Sequence, residues 1–181
     1  MGPVVGTVVV LAGGAGSGKT TVGRAVSAAT GAQLLDLDAV TADLVAERAA
    51  AEPSRSEPEL LAALRDERYR LLVATARSAR DSHDVIVTAP FTGEIADPTA
   101  WAELVRDLGG EPVHLVWLSV TPEERLARLR SRGSSRDAHL LDAGAAPEVP
   151  PPVVPHLALT ARQPTAALVQ AISPYIGHRR P

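Results

Sequence analysis

The sequence predicts a three-layer α/β fold, a parallel sheet with helices packed on both faces. Short β-branched runs alternate with longer helical patterns through all 181 residues. Those runs are almost continuously apolar, as strands covered on both sides must be. Between the first run and the first helical pattern stands GGAGSGKTT (13–21), a glycine-rich turn with a lysine.

The runs are VVGTVVVLA (4–12), AQLLDL (32–37), DVIVTA (84–89), VHLVWLSV (113–120) and HLALT (156–160). Helices are predicted over 19–29, 39–50, 59–80, 99–108, 122–132 and 164–176. Pro122 and Pro164 fall in first helical turns, where a missing N–H costs nothing. Two passages break the alternation. One is a helical insertion over 39–82, divided by a loop around residues 53–58. The other, 128–155, runs from arginine-rich to proline-rich and is too polar for a core element.

Composition narrows the function. Aromatic content is 3%, so the core is built from Val, Leu, Ile and Ala. Cysteine is absent, which excludes disulfides and thiolate metal sites. No apolar run approaches the roughly 20 residues that span a bilayer, and no signal-peptide pattern opens the chain. A net charge of −3 counts against nucleic-acid or anionic-membrane partners. The expectation is a soluble, cytoplasmic protein, residues 1–181 forming a single domain.

Lys19 is the only lysine among 18 basic residues. It completes G-x-x-x-x-G-K-[ST] as Gly13, Gly18, Lys19 and Thr20. Glycines at 13, 14, 16 and 18, with Ala15 and Ser17, let the backbone N–H groups of residues 13–21 curl around an anion at a helix N-terminus. A lysine places a compact charge on the β and γ phosphates, where a broad guanidinium does not fit as readily. Thr20 offers a hydroxyl to Mg²⁺, and Thr21 continues the loop into the helix. Codon bias accounts for many arginines but not for this one exception.

Asparagine is absent, so the Asn-Lys-x-Asp element that reads guanine cannot exist, and ATP is the expected nucleotide. The second run ends LLDLD, placing Asp36 and Asp38 two apart beside the loop. Asp36 is read as the Mg²⁺-side carboxylate, and Asp38 as the base that takes a proton from an attacking hydroxyl. Order along the chain is the only basis for that assignment, and Asp38 also suits a helix cap.

These motifs together resemble the small-molecule kinases of the shikimate, gluconate and adenylate kinase type. RSRGSSRDAHLL (130–141) and VTAPFTGEI (87–95) look closer still to the zeta-toxin-like ATP-binding proteins. The resemblance implies a P-loop NTPase fold with a five-stranded parallel sheet in order 2-3-1-4-5, a helical acceptor-binding insertion and an arginine-rich lid. It also implies that Arg132 or Arg128 lies against adenine and that Arg136 meets the phosphates, joining Lys19 and Asp38 as a catalytic group. A departure follows the third strand, where Thr88, Pro90 and Thr92 replace acidic or glycine-triplet motifs; Thr88 and Thr92 are the acceptor candidates there.

In the insertion, Arg65 and Tyr69 lie one helical turn apart with Arg68 beside them. They could read an acceptor, or pair with Asp66, Glu67 and Glu59 on an exposed face. Arg125 and Arg130 read as a solvated helix face. The five histidines lack metal-ligand spacing. The combined expectation is an ATP- and Mg²⁺-dependent phosphotransferase acting on a hydroxyl of a small molecule. Its alternatives are a nucleic-acid 5'-hydroxyl kinase and a non-catalytic ATP-binding regulator.

Overall fold

A computed structural model describes residues 5–132 and 150–176, with the side chain of Arg132 outside the description. Five parallel strands form one sheet in the order β2-β3-β1-β4-β5. They are β1 (Val8–Ala12), β2 (Gln33–Asp36), β3 (Val85–Thr88), β4 (Val113–Ser119) and β5 (Leu157–Thr160). The central strand pairs on both sides, with Val8 beside Val85 of β3 and beside Val113 of β4. All five β1 residues are buried, which explains the unbroken apolar run.

Alternate β1 residues enter opposite cores. Val8, Val10 and Ala12 face a core with Leu72, Ala76, Leu104 and Leu108. Val9 and Leu11 face a second core with Val22, Val26, Leu168 and Ile172. The α-helices among the described residues are α1 (Lys19–Thr30), α2 (Leu37–Val40), α3 (Ala42–Ala51), α4 (Glu57–Ala63), α5 (Arg65–Ala79), α6 (Pro98–Asp107), α7 (Pro122–Arg132) and α8 (Thr165–Ile172). α5 and α6 cover one face of the sheet, and α1 and α8 the other.

Local chemistry sets the boundaries. Asp97 caps α6 by accepting from Thr99 N–H at 2.8 Å, and Pro98 opens its first turn. Glu59 accepts from both the N–H and the hydroxyl of Ser56 at the start of α4. Several boundaries differ from the sequence reading. The helix expected over 39–50 is two, α2 and α3, divided at Thr41. The single helix expected over 59–80 is two, divided at Leu64, whose side chain is buried and whose backbone leaves the helical region. Pro164 precedes α8 instead of opening it. The second strand stops at Asp36, and α2 begins one residue later. At the opposite end of the sheet from the loop, buried Arg80 donates to the carbonyls of Gly6, Leu108 and Gly110, tying the approach to β1 to the end of α6.

Candidate functional site

The loop between β1 and α1 sits at the carboxyl end of the central strand, over the middle of the sheet. Lys19 Nζ donates to the carbonyls of Gly13 at 2.7 Å and Gly14 at 2.9 Å, so the loop orients its own cation. Gly13 is required by close approach: a Cβ there would lie 2.5 Å from Leu118 O and 2.7 Å from Ser17 Oγ. Gly18 has φ +91°, a left-handed conformation that glycine adopts without strain. It leads into α1 without a side-chain cap, and the first turn of α1 carries no acidic residue. The partial positive charge of the α1 N-terminus is thus not offset by an acidic side chain of its own first turn, which favours an anion there. Thr21 is exposed in that turn.

α7 braces the loop from outside. Arg125 Nε donates to Ala15 O at 2.9 Å, and Arg128 spans Gly16 O, Ser17 O and, across the cleft, Ala161 O. The expectation of a solvated Arg125 is corrected here, since it is buried against the loop. Its position four residues before fully buried Leu129 marks it as part of the inward face of α7, a signal present in the sequence. Arg130 is exposed, as expected. Arg136 and most of the segment expected to form a lid (128–155) lie outside the described residues, as does the Arg132 side chain.

The two aspartates do not share a strand face. Asp36 ends β2 and Asp38 lies in α2. Asp36 Oδ2 accepts from the hydroxyls of Thr20 at 2.8 Å and Thr88 at 2.7 Å, while Oδ1 accepts from the N–H groups of Asp38 and Ala39. Capping, expected of Asp38, belongs to Asp36. Burial alone would raise the Asp36 pKa; the bonds from Thr88, Thr20, Ala39 and Asp38 together outweigh it and hold the carboxyl below its usual range. Thr88, expected at the acceptor, instead faces Asp36 and Thr20.

Asp38 has a half-exposed side chain and is held by Arg68 of α5. Arg68 is itself buried, and its Nε donates to Thr41 Oγ1 at 2.9 Å. Sequence reading placed Arg68 in the right neighbourhood but not on Asp38, because nothing local signals a contact across 30 residues.

Arg65 and Tyr69 form a neighbouring cluster. The Arg65 guanidinium lies 4.4 Å from the centroid of the Tyr69 ring and bonds Glu94 at 3.0 Å, a partner the sequence did not suggest. Tyr69 Oη accepts from Phe91 N–H at 3.1 Å and its ring meets that of Phe91 edge-on. Burial pushes the phenol up to about 12, so it stays protonated. Phe91 has φ +51°, and Thr92 follows it on the exposed turn.

Hydroxyl and carboxylate oxygens at Thr20 and Asp36 form a hard donor pair that suits Mg²⁺. Among the described residues no group of three or more His, Cys, Asp and Glu could hold a metal, so a cation here would depend on phosphate oxygens as well. Among the described residues, too, no helix is long and apolar enough to cross a membrane.

A 2-3-1-4-5 parallel sheet with a lysine-bearing anion loop after its central strand defines a P-loop fold. Residues 8–146 match the family described as AAA domain, and the chain belongs to that family. A shikimate kinase of Synechococcus sp. (strain RCC307) is 30% identical over 131 residues, covering 72% of this chain and 60% of that protein. The chain therefore spans less than two thirds of that curated relative. Among solved structures, the APS kinase of Mycobacterium tuberculosis, in complex with AMPPNP and APS, superposes with a TM-score of 0.66 at 20% identity, covering 96% of this chain and 98% of that one. A gluconokinase from Sinorhizobium meliloti 1021 gives 0.59 at 21%, covering 96% and 93%. At these identities the two structures speak for the fold.

Proposed function

We propose that this protein is an ATP- and Mg²⁺-dependent phosphotransferase that moves the γ-phosphoryl group to a hydroxyl of a small molecule. The observation that carries this reading is the division of labour between the aspartates: Asp36 is saturated by four donors beside the phosphate loop, whereas Asp38 is half-exposed and aimed by Arg68. A carboxylate with four donors is a poor base and a good anchor. One that is partly exposed can reach a substrate proton.

Lys19 and the α1 N-terminus hold and polarise the phosphates, with Arg128 bracing the loop on the side where adenine would lie. Mg²⁺ bound near Thr20 and Asp36 would neutralise charge on the β and γ oxygens. The acceptor oxygen bonds to the γ-phosphorus as its proton passes to Asp38, and ADP leaves with the electron pair of the broken bond. Arg136 is proposed to meet the transferring group, Arg132 or Arg128 the adenine ring, and the helices of 39–82 to form a wall of the acceptor site. Shikimate, gluconate and APS kinases among the relatives support the general class.

Incubating the protein with ATP, Mg²⁺ and a fractionated small-molecule extract tests the reading. Mass gain of one phosphate on an alcohol, dependent on Lys19, is the expected result. Hydrolysis alone, or no turnover with any fraction, would argue against it.

A further inference from the structure

Thr88 is the last residue of β3, and the register sets it between Asp36 at the end of β2 and Leu11 near the end of β1. It is 1% exposed although its side chain is polar. Ile86 and Leu34, two residues before Thr88 and Asp36, pack in the core beneath α1, so alternation along the strands turns Thr88 and Asp36 to that side as well. Thr20 and Gly23 lie one turn apart on the facing side of α1.

The two branches of the Thr88 side chain have separate partners. Its hydroxyl donates to Asp36 Oδ2 at 2.7 Å, the same oxygen that accepts from Thr20 at 2.8 Å. Its methyl lies against Gly23: a Cβ on Gly23 would come 3.0 Å from Thr88 Cγ2 and 2.9 Å from Leu34 Cδ1. Glycine inside a helix is unfavourable relative to alanine, so α1 gives up local helix stability here for close approach to the sheet. A β-branched side chain has few choices at χ1. With the methyl seated over Gly23, the hydroxyl is directed at Asp36.

The bond from Thr20 then gains a meaning. A hydroxyl has one hydrogen and two lone pairs. Thr20 commits its hydrogen to Asp36, so the position of Oδ2 decides where the Thr20 lone pairs point. Thr88 holds the same Oδ2 through a second bond.

Resting on the ATP- and Mg²⁺-dependent reading, we propose that Thr88 is a positioning residue for the metal side of the site: Gly23 seats the Thr88 methyl, Thr88 Oγ1 fixes Asp36, and Asp36 aims the Thr20 oxygen.

The Mg²⁺ concentration needed for half-maximal binding of AMPPNP, read by calorimetry, tests this without catalysis. Thr88→Val keeps the shape and removes the hydroxyl; it should raise that concentration about tenfold, as loss of an outer-sphere partner does. Thr88→Ser keeps the donor and should stay within about threefold of the wild-type protein. Gly23→Ala leaves every polar group in place and should raise the requirement about fivefold, because the added methyl displaces Thr88 Cγ2. Leu34 Cδ1 ends a flexible side chain and can turn aside. Adding Thr88→Ser to Gly23→Ala should therefore restore the requirement to within about threefold, since serine has no Cγ2 to displace. Should Thr88→Val misfold, Gly23→Ala and its rescue carry the test.

A merely structural Thr88 would lower the melting temperature of Thr88→Val and Gly23→Ala and leave the Mg²⁺ requirement unchanged, and that result would overturn the proposal. So would an equal shift in Thr88→Ser and Thr88→Val, a rescue that fails, or AMPPNP binding by the wild-type protein that ignores Mg²⁺. Shifts in the expected order with no phosphate reaching any acceptor uphold the role of Thr88 and count against phosphotransfer; transfer with a Mg²⁺ requirement indifferent to these variants does the reverse.

Discussion

Arg68 holds Asp38 from a helix 30 residues further along the chain, donating to Oδ1 while its Nε is fixed on Thr41. Both the ion pair and its brace tie α5 to α2. Arg68→Met should therefore lower stability by about 1–2 kcal/mol, since Thr41 loses a donor and the remaining pair partner is half in water. Single-turnover transfer should slow by roughly ten- to a hundredfold as Asp38 loses its aim, while ATP affinity changes little. Arg68→Lys keeps the charge but cannot make both bonds, and should recover only part of the rate. Denaturant unfolding beside quenched-flow transfer checks both halves.

Lys19 should not be replaceable by arginine. Its ammonium is seated between the Gly13 and Gly14 carbonyls at 2.7 and 2.9 Å, a geometry for a compact head. Both Lys19→Arg and Lys19→Ala should reduce turnover by roughly a hundred- to a thousandfold. Near-normal turnover in the arginine variant would show that charge alone suffices.

Asp36 makes a prediction about acid. Its folded pKa lies below the unfolded value, so its stabilising contribution is present above the unfolded pKa, near 3.9, and is lost as pH falls through the depressed folded value. Asp36→Asn should flatten the acid limb of stability against pH, besides raising the Mg²⁺ concentration needed for ATP binding. Thermal melts followed from about pH 6 downward through and below the ordinary carboxylate range would detect it; an unchanged acid limb would remove Asp36 from the account.

Arg128 joins the loop to Ala161, across the side where adenine would sit. Arg128→Ala should weaken ATP about tenfold, and ATP should outbind GTP by at least about tenfold, or 1.4 kcal/mol. Calorimetry with both nucleotides decides it.

What the sequence made legible follows from how local each feature is. The strands and the phosphate loop declare themselves by apolar runs and by a glycine-lysine spacing that few other structures need. The aspartate pair misled because LLDLD reads as one strand, whereas Asp36 turns the chain into α2 by capping it. The division at Leu64 was invisible because the residues on both sides are helix formers. Arg125 resembled a solvent residue until its place on the inward face of α7 was seen, and Glu94 shows no sequence sign of its bond to Arg65. Contacts between distant segments depend on the packing of α5 against β2 and β3, which no short pattern encodes.

The central claim is that phosphate leaves ATP for a hydroxyl whose proton Asp38 accepts. Following a γ-phosphate label from ATP in the wild-type protein and in Asp38→Asn, with the acceptor found by mass gain, tests it most directly. The account predicts that the wild-type protein moves the label into a phosphomonoester, and that Asp38→Asn binds ATP normally yet transfers roughly a hundred- to ten-thousandfold more slowly. Equal transfer by the two proteins, or label that never leaves ATP in either, would contradict it.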